Sequence, residues 1–445
     1  MFKSAVVRAV TNLAFVAVLT SLAHPQQPEM SKLERGRAED MLQVVTNEVK
    51  KHYYDPKFHG VDFDAKVAEA KQKIEQAHSF NMAMSHIAAA LDTLNDSHTF
   101  FLPPQHAYTN DYGLQYQIFG NRCFVTEVRP KSDAEAKGVK SGDGILGING
   151  ATPDRDDLWK IRYVFSTLRP QRVLRLALQD PSAAQRQVEI SANMQSGKRL
   201  TDLTGGGGGS DIWDLYRKME TRAHLLRTRY VELGDQLTII KLPEFVYLTP
   251  SEVSGIIGKA SKHQDLIIDL RGNPGGAIDT LRSMLGGIFD KEVKIADRAG
   301  RKEKKPEVAK PLHNQYAGKL VVLVDAESAS ASELFARVVQ LEKRGTIIGD
   351  HTAGAAMEAK DYNEQSGADT VIFYGASITD SDLIMADGKS LEHVGVTPDE
   401  LLVPTAQDLA AGRDPVLAHA ADTLGVKITA EEAGKLFPYE WPPAE

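Results

Sequence analysis

From Gln236 onward the chain repeats one pattern: a short apolar run, a turn, then a helical stretch. The runs Leu237–Lys241, Leu266–Leu270, Leu320–Val324, Thr346–Ile348 and Thr370–Phe373 have the length and composition of strands. Ala277–Phe289 and Ser332–Leu341 carry apolar residues at helical spacing. Apolar strands joined by helical crossovers imply an α/β domain with a largely parallel sheet. In such sheets functional groups collect just past the carboxyl ends of strands. Two strand ends therefore carry the search for a site.

The first is Asp269-Leu270-Arg271-Gly272-Asn273-Pro274-Gly275-Gly276, a strand running into a turn and then a helix. Glycines permit positive φ and close approach of a ligand to the backbone. Free N–H groups of such a turn can bind an oxyanion. They could also hold a phosphate, but the Lys-Ser/Thr pair of a P-loop is missing. A tight turn without function reads equally well. The second end is Val324 to Leu334, where a helix starts within Ser328-Ala329-Ser330-Ala331-Ser332-Glu333. A serine there sits near unpaired backbone donors and the positive end of the helix dipole. That setting can stabilise an alkoxide and a tetrahedral oxyanion. Taken alone, a serine N-cap with small residues for close packing is the preferred explanation.

The rest of the chain divides by composition. Lys3 and Arg8, the apolar run Leu13–Leu19 and the small-x-small ending Ser21-Leu22-Ala23 predict a secretory signal peptide over 1–23. The run is too short for a comfortable membrane span. Periplasmic or extracellular location follows, without a stable membrane anchor. Residues 31–108 are expected to be helical, with Met41, Val44, Val45 and Val49, then Ile87, Leu91 and Leu94, at helix spacing. Residues 109–197 turn β-rich, with runs at Cys123–Val128 and Val173–Leu178. Between them come Gly138-Val139, Ser141-Gly142-Asp143 and Ile145 to Gly150. That order of short helix, Gly-Asp turn and Ile-Asn-Gly hairpin resembles a PDZ domain. The resemblance places Tyr112-Gly113-Leu114 at the carboxylate-binding loop. Residues 198–235 hold the glycine run 205–209, read as a flexible joint, and a charged helix over Ile212–Leu226. The α/β domain occupies 236–405 and a helical tail 406–445.

The formal net charge of -8 argues against nucleic acid or an anionic membrane as the main partner. The single cysteine, Cys123, rules out an intramolecular disulfide and a cysteine-based metal site. The histidines are scattered, without the spacing of a zinc hydrolase. No cofactor and no metal are expected.

The Ser-Ala-Ser-Ala-Ser-Glu run, the Arg-Gly-Asn-Pro-Gly-Gly turn and the PDZ-like stretch together resemble the C-terminal-processing (tail-specific) and tricorn-core serine peptidases. The resemblance implies a multidomain α+β protein: an N-terminal helical region, a PDZ-like β-domain and an α/β core of the ClpP/crotonase-like kind. It implies that Ser330 is the nucleophile. Ala331 N–H and a turn glycine, Gly275 in preference to Gly276, would form the oxyanion hole. The substrates would be proteins or peptides, engaged through their C-termini by the PDZ-like domain, which could instead gate the site.

A serine needs a base. The bacterial processing branch of that family places a lysine in the loop after the next strand. Here Ala355 stands at that position, within Gly349 to Ala356, and Lys360 does not fit the pattern. The tricorn-like branch uses a histidine from an Asp-Gly/Ser-His context, matched by Asp96-Ser97-His98. It orients that histidine with a glutamate before Gly-Val-x-Pro-Asp, matched by Glu392. The implied set is Ser97, His98, Ser330 and Glu392, with Asp96 supporting the local loop. His351 is a rival base and His393 a weaker one. The alternative reading is a non-catalytic ligand-binding or scaffolding protein on the same fold.

Overall fold

The computed structural model describes residues 29–106, 108–196, 210–302, 304–367 and 371–443. The expected signal peptide and the glycine run 205–209 lie outside the described residues.

The α/β core is a six-stranded sheet. Its order is Glu400–Leu401, Thr346–Gly349, Lys319–Val324, Asp265–Asp269, Leu237–Lys241, Arg229–Leu233. All neighbours are parallel except the last pair, which is antiparallel. Arg229–Leu233 thus belongs to the core, which begins before the expected boundary at 236. Consecutive residues face opposite layers, as the strand period of two demands. Ile240, Ile268 and Val322 pack under the helices Pro250–Ala260, Ile278–Gly286 and Ala331–Leu341. Ile239, Ile267 and Val321 face Pro415–Thr423 on the other side. The expected C-terminal helical tail is therefore the second layer of a sheet that must be covered on both faces. Each such buried aliphatic side chain is worth about 1.5–3 kcal/mol.

A second sheet was not anticipated. Ile372–Ile384 is its long central strand, pairing antiparallel with Phe100–Leu102, Val293–Ala299 and Met357–Ser366. The helices Lys32–His52, Phe63–Glu75 and Phe80–Asp92 pack on it, Met41, Val45, Ile87 and Leu91 against Ala376 and Ile378. Ser31 starts the first helix with a capping box to Glu34. Phe100–Leu102 is the stitch that matters, because register Phe100↔Ser377 pins the chain two residues after His98 to this second sheet.

The small β-domain is a five-stranded antiparallel sheet, Leu114–Phe119, Arg122–Val128, Gly144–Ile148, Val173–Gln179, Gln185–Ser191. Its own core includes Val125, Ile148, Leu176, Leu178 and Ile190. It docks on the α/β core through charge. Arg155 donates to Asp350 Oδ2 at 2.9 Å and to the His351 carbonyl at 2.8 Å, and Gly120 N–H reaches the same carboxylate at 2.7 Å. Asp350 is only 2% exposed, so these partners compensate a carboxylate taken out of water. Arg162 meets Glu327 at 2.9 Å.

Candidate active site

The two strand ends lie side by side. Asn273 is fully buried. Its side chain donates to Leu242 O and accepts from Gly275 N–H. Its carbonyl accepts from Ala329 N–H and Ser332 Oγ, both at 3.0 Å. The glycine turn and the serine turn are thus one unit. Gly275 and Gly276 have φ of 100° and 132°, and their contacts separate their roles. A Cβ on Gly275 would lie 2.7 Å from Ser330 Cβ and 2.9 Å from Ala331 N, whereas on Gly276 it would meet Phe245 O at 2.4 Å. Gly275 faces the serine and Gly276 backs onto the neighbouring loop. In this state Gly275 N–H is engaged by Asn273 Oδ1 at 2.9 Å.

The three serines of the run differ sharply. Ser328 and Ser332 are fully buried, and their hydroxyls donate to Leu270 O and Asn273 O. Ser330 between them is part-exposed and adopts φ 53°, ψ -116°, a strained conformation for a residue with a side chain. It immediately precedes helix Ala331–Leu341. Its N–H is shared between Ala355 O at 2.7 Å and Glu333 Oε2 at 3.0 Å. Glu333 is fully buried and also accepts from Thr352 Oγ1, Gly354 N and Ala355 N. Burial pushes its carboxyl up to about 7, against these bonds, which favour the ionised form. Glu333 thereby ties the serine turn to the loop 350–356, a link that its role as a helix-start acid did not disclose.

Ser97, His98 and Glu392 come together across nearly 300 residues of sequence. Ser97 N–H donates to Glu392 Oε1 at 2.7 Å, Ser97 Oγ to Oε2 at 2.9 Å, and Ser97 Oγ meets His98 Nδ1 at 2.7 Å. Glu392 reaches the imidazole through the serine hydroxyl rather than directly. An ionised carboxylate accepts only, so the Ser97 hydroxyl proton points to Glu392 and its oxygen accepts from Nδ1–H. That leaves Nε2 with its lone pair. Burial lowers the His98 pKa, opposed by the Asp96 charge, so the ring is neutral at pH 7. Asp96 Oδ1 accepts from His98 N, Thr99 N and Thr379 Oγ1 and holds this turn on the second sheet.

No hydrogen bond joins His98 to Ser330. They are linked through one dipeptide: Ala355 O accepts from Ser330, and Ala356 N–H donates to Glu392 Oε2 at 3.1 Å. Catalytic hydrogen bonds of ligand-free enzymes are often long and tighten when substrate binds. Ala355, at the position of the absent lysine, lines the cleft beside the serine turn. Lys360 pairs with Asp380 at 3.0 Å. The His351 ring faces Thr397 Oγ1, and His393 Nε2 meets Asn95 O at 2.8 Å. Neither ring bonds Ser330.

A cleft of about 520 Å³ opens over the serine turn. Ser97, Pro274, Ala329 and Ala355 line it from the core, and Ile118, Arg155 and Trp159 from the small β-domain. Tyr112 and Leu114 lie elsewhere, on the β-domain's own groove, with Gly113 between them in the chain. Gly113 has φ 69° and its N–H donates to Asp111 Oδ1 at 2.8 Å.

Residues 236–402 match the model of peptidase family S41. The tail-specific protease of Haemophilus influenzae is 27% identical over 277 residues, 58% of this chain and 36% of that protein. The carboxy-terminal processing protease CtpA of Bacillus subtilis is 23% identical over 326 residues, 70% of this chain and 62% of that one. The chain thus spans less than two thirds of these curated relatives. The crystal structure of mature CPAF superposes with a TM-score of 0.62 at 18% identity, covering 85% of this chain and 94% of that one, which shows a shared fold. The strand ends and the serine turn lie within that matched segment, so it is the core of the chain that is similar to peptidase family S41.

Proposed function

We propose that this protein is an exported serine endopeptidase acting through an acyl-enzyme on Ser330. The observation that carries the reading is Ser330 itself. It is the one serine of its run that is accessible and strained at a helix start, while both neighbours are buried in backbone hydrogen bonds. His98 Nε2 takes the Ser330 proton as the hydroxyl attacks a peptide carbonyl. The imidazolium formed is stabilised through Ser97 by Glu392. The tetrahedral oxyanion is received by Ala331 N–H at the helix start and by a turn glycine; Gly275 N–H, which abuts the serine, would turn from Asn273 to do so. His98 then protonates the leaving amine, and water hydrolyses the ester.

The small β-domain, read as PDZ-like, would bind the C-termini of protein substrates and so deliver them to the cleft it roofs. Export rests on residues 1–23, and no described helix is long and apolar enough to cross a membrane.

The test is cleavage of an unfolded protein, read by gel and by peptide mass, with Ser330→Ala and His98→Ala beside the parent. Both variants should lose activity while keeping the parent's thermal unfolding. Full activity in His98→Ala would overturn the base assignment, and full activity in Ser330→Ala the reaction itself. Labelling by a serine-directed fluorophosphonate should map to Ser330.

A further inference from the structure

The β-domain carries a groove between strand Leu114–Phe119 and the helical segment Leu158–Leu168. Tyr112, Leu114 and Tyr116 form one side and Tyr163, Ser166 and Thr167 the other, around about 500 Å³. One end is not open. Trp441, Pro442 and Pro443, from the far end of the described chain, close it.

That segment is held by specific contacts along its length. The Arg129 guanidinium lies 4.7 Å from the Trp441 ring centre, and its Nη1 donates to Pro442 O at 3.3 Å. Trp441 packs edge-on against Tyr439 with ring centres 4.9 Å apart. Glu440 is clasped by Arg227 through two bonds of 2.7 and 2.8 Å, with His224 at 3.1 Å. Arg229 fixes Pro438 O at 2.9 Å. Prolines at 438, 442 and 443 lower the entropy lost on ordering it.

Arg129 joins this segment to the carboxylate loop. It pairs with Asp111 at 3.0 Å and is only 16% exposed. Asp111 in turn accepts from Gly113 N–H at 2.8 Å. The cation and the backbone donor suited to a peptide carboxylate are therefore both occupied, through one chain of contacts that starts at Trp441.

We propose that residues Tyr439–Pro443 are a resident cap on this groove, displaced by an incoming peptide, and that Arg129 then receives the peptide's free C-terminal carboxylate. The inference deepens the proposed function and rests on its reading of the groove as a peptide site. Substrate C-termini compete with the chain's own segment, so occupancy of the groove is set by the difference between the two.

The test uses the full chain carrying Ser330→Ala, so that binding is read without cleavage. A fluorescein-labelled decapeptide ending in a free apolar residue, and its C-terminal amide, are titrated by fluorescence anisotropy. Trp441→Ala and a chain ending at Pro438 should each bind the acid peptide about tenfold more tightly than the parent, the factor expected if the cap is closed ten to one. In the chain ending at Pro438, Arg129→Gln should erase the preference for acid over amide. Equal affinity in capped and uncapped chains overturns the cap while leaving the groove a peptide site. Unchanged acid preference in Arg129→Gln overturns the role of Arg129. Absence of binding in every chain overturns the groove reading and the cap with it.

Discussion

Ser97→Ala isolates the relay on which the proposed chemistry depends. The hydroxyl connects His98 Nδ1 at 2.7 Å to Glu392 Oε2 at 2.9 Å, and nothing else among the described residues bridges them. Removing it leaves a buried Nδ1–H without an acceptor when the ring becomes cationic. A hydrogen bond to a charged group is worth about 1.5–3 kcal/mol, and an unsatisfied buried donor costs about 1–3 kcal/mol more. Because the two overlap, the predicted loss is about 3 kcal/mol in transition-state stabilisation, or roughly 10²-fold in kcat. That is smaller than the ~10⁴-fold loss when a carboxylate in direct contact with the histidine is removed. The fold should survive, because Ser97 N–H and Ala356 N–H still hold Glu392. The assay is steady-state hydrolysis of an internally quenched peptide, with thermal unfolding recorded in parallel. Loss should fall on kcat with KM little changed, and Ser97→Thr should recover part of it. A loss below threefold, or one confined to KM, would refute the relay.

Burial lowers the His98 pKa against the Asp96 charge. The acid limb of kcat/KM should therefore lie below the ordinary histidine value of about 6.5, with activity rising as pH increases through it. Asp96→Asn keeps the Oδ1 acceptor but removes the charge, so the limb should move further to acid; movement toward neutral would contradict the assignment. Gly275→Ala places a Cβ 2.7 Å from Ser330 Cβ at φ 100°, and should cost about 2–5 kcal/mol of stability with activity abolished, read by denaturant melts and hydrolysis. Glu333 has a folded pKa pushed up to about 7 by burial, above its ordinary 4.5. Its contribution is present in full below 4.5 and is lost as pH rises through about 7, by up to roughly 3 kcal/mol. Glu333→Gln should flatten the stability profile across that window, and parallel profiles would count against the shift.

The core was legible because its signals are local. Leu320–Val324 followed by the serine run reads as a strand entering a helix, and Asp269–Gly276 as a strand entering a glycine turn. The structure has strands ending at Val324 and Asp269 and the helix starting at Ala331. The second sheet was illegible. Ile372–Ile384 runs through polar residues such as Thr379, Asp380 and Ser381, and its partners lie as far away as Phe100. Arg155 and Asp350 stand 195 residues apart with no sequence pattern to link them, yet form the docking point of two domains. Nothing in Tyr439–Pro443 signals that it crosses to Arg129.

Sequence alone determined which residue types stand at the strand ends and that no lysine occupies position 355. Local geometry follows from short-range sterics and backbone hydrogen bonding, which a few neighbouring residues settle. Only the tertiary structure decided that Glu392 reaches His98 through Ser97, that Gly275 rather than Gly276 abuts Ser330, and that Trp441 to Pro443 line the β-domain groove. Each depends on side chains brought within 3–5 Å from distant segments. That proximity is created by strand register and burial across the whole molecule, and no short stretch of sequence contains it.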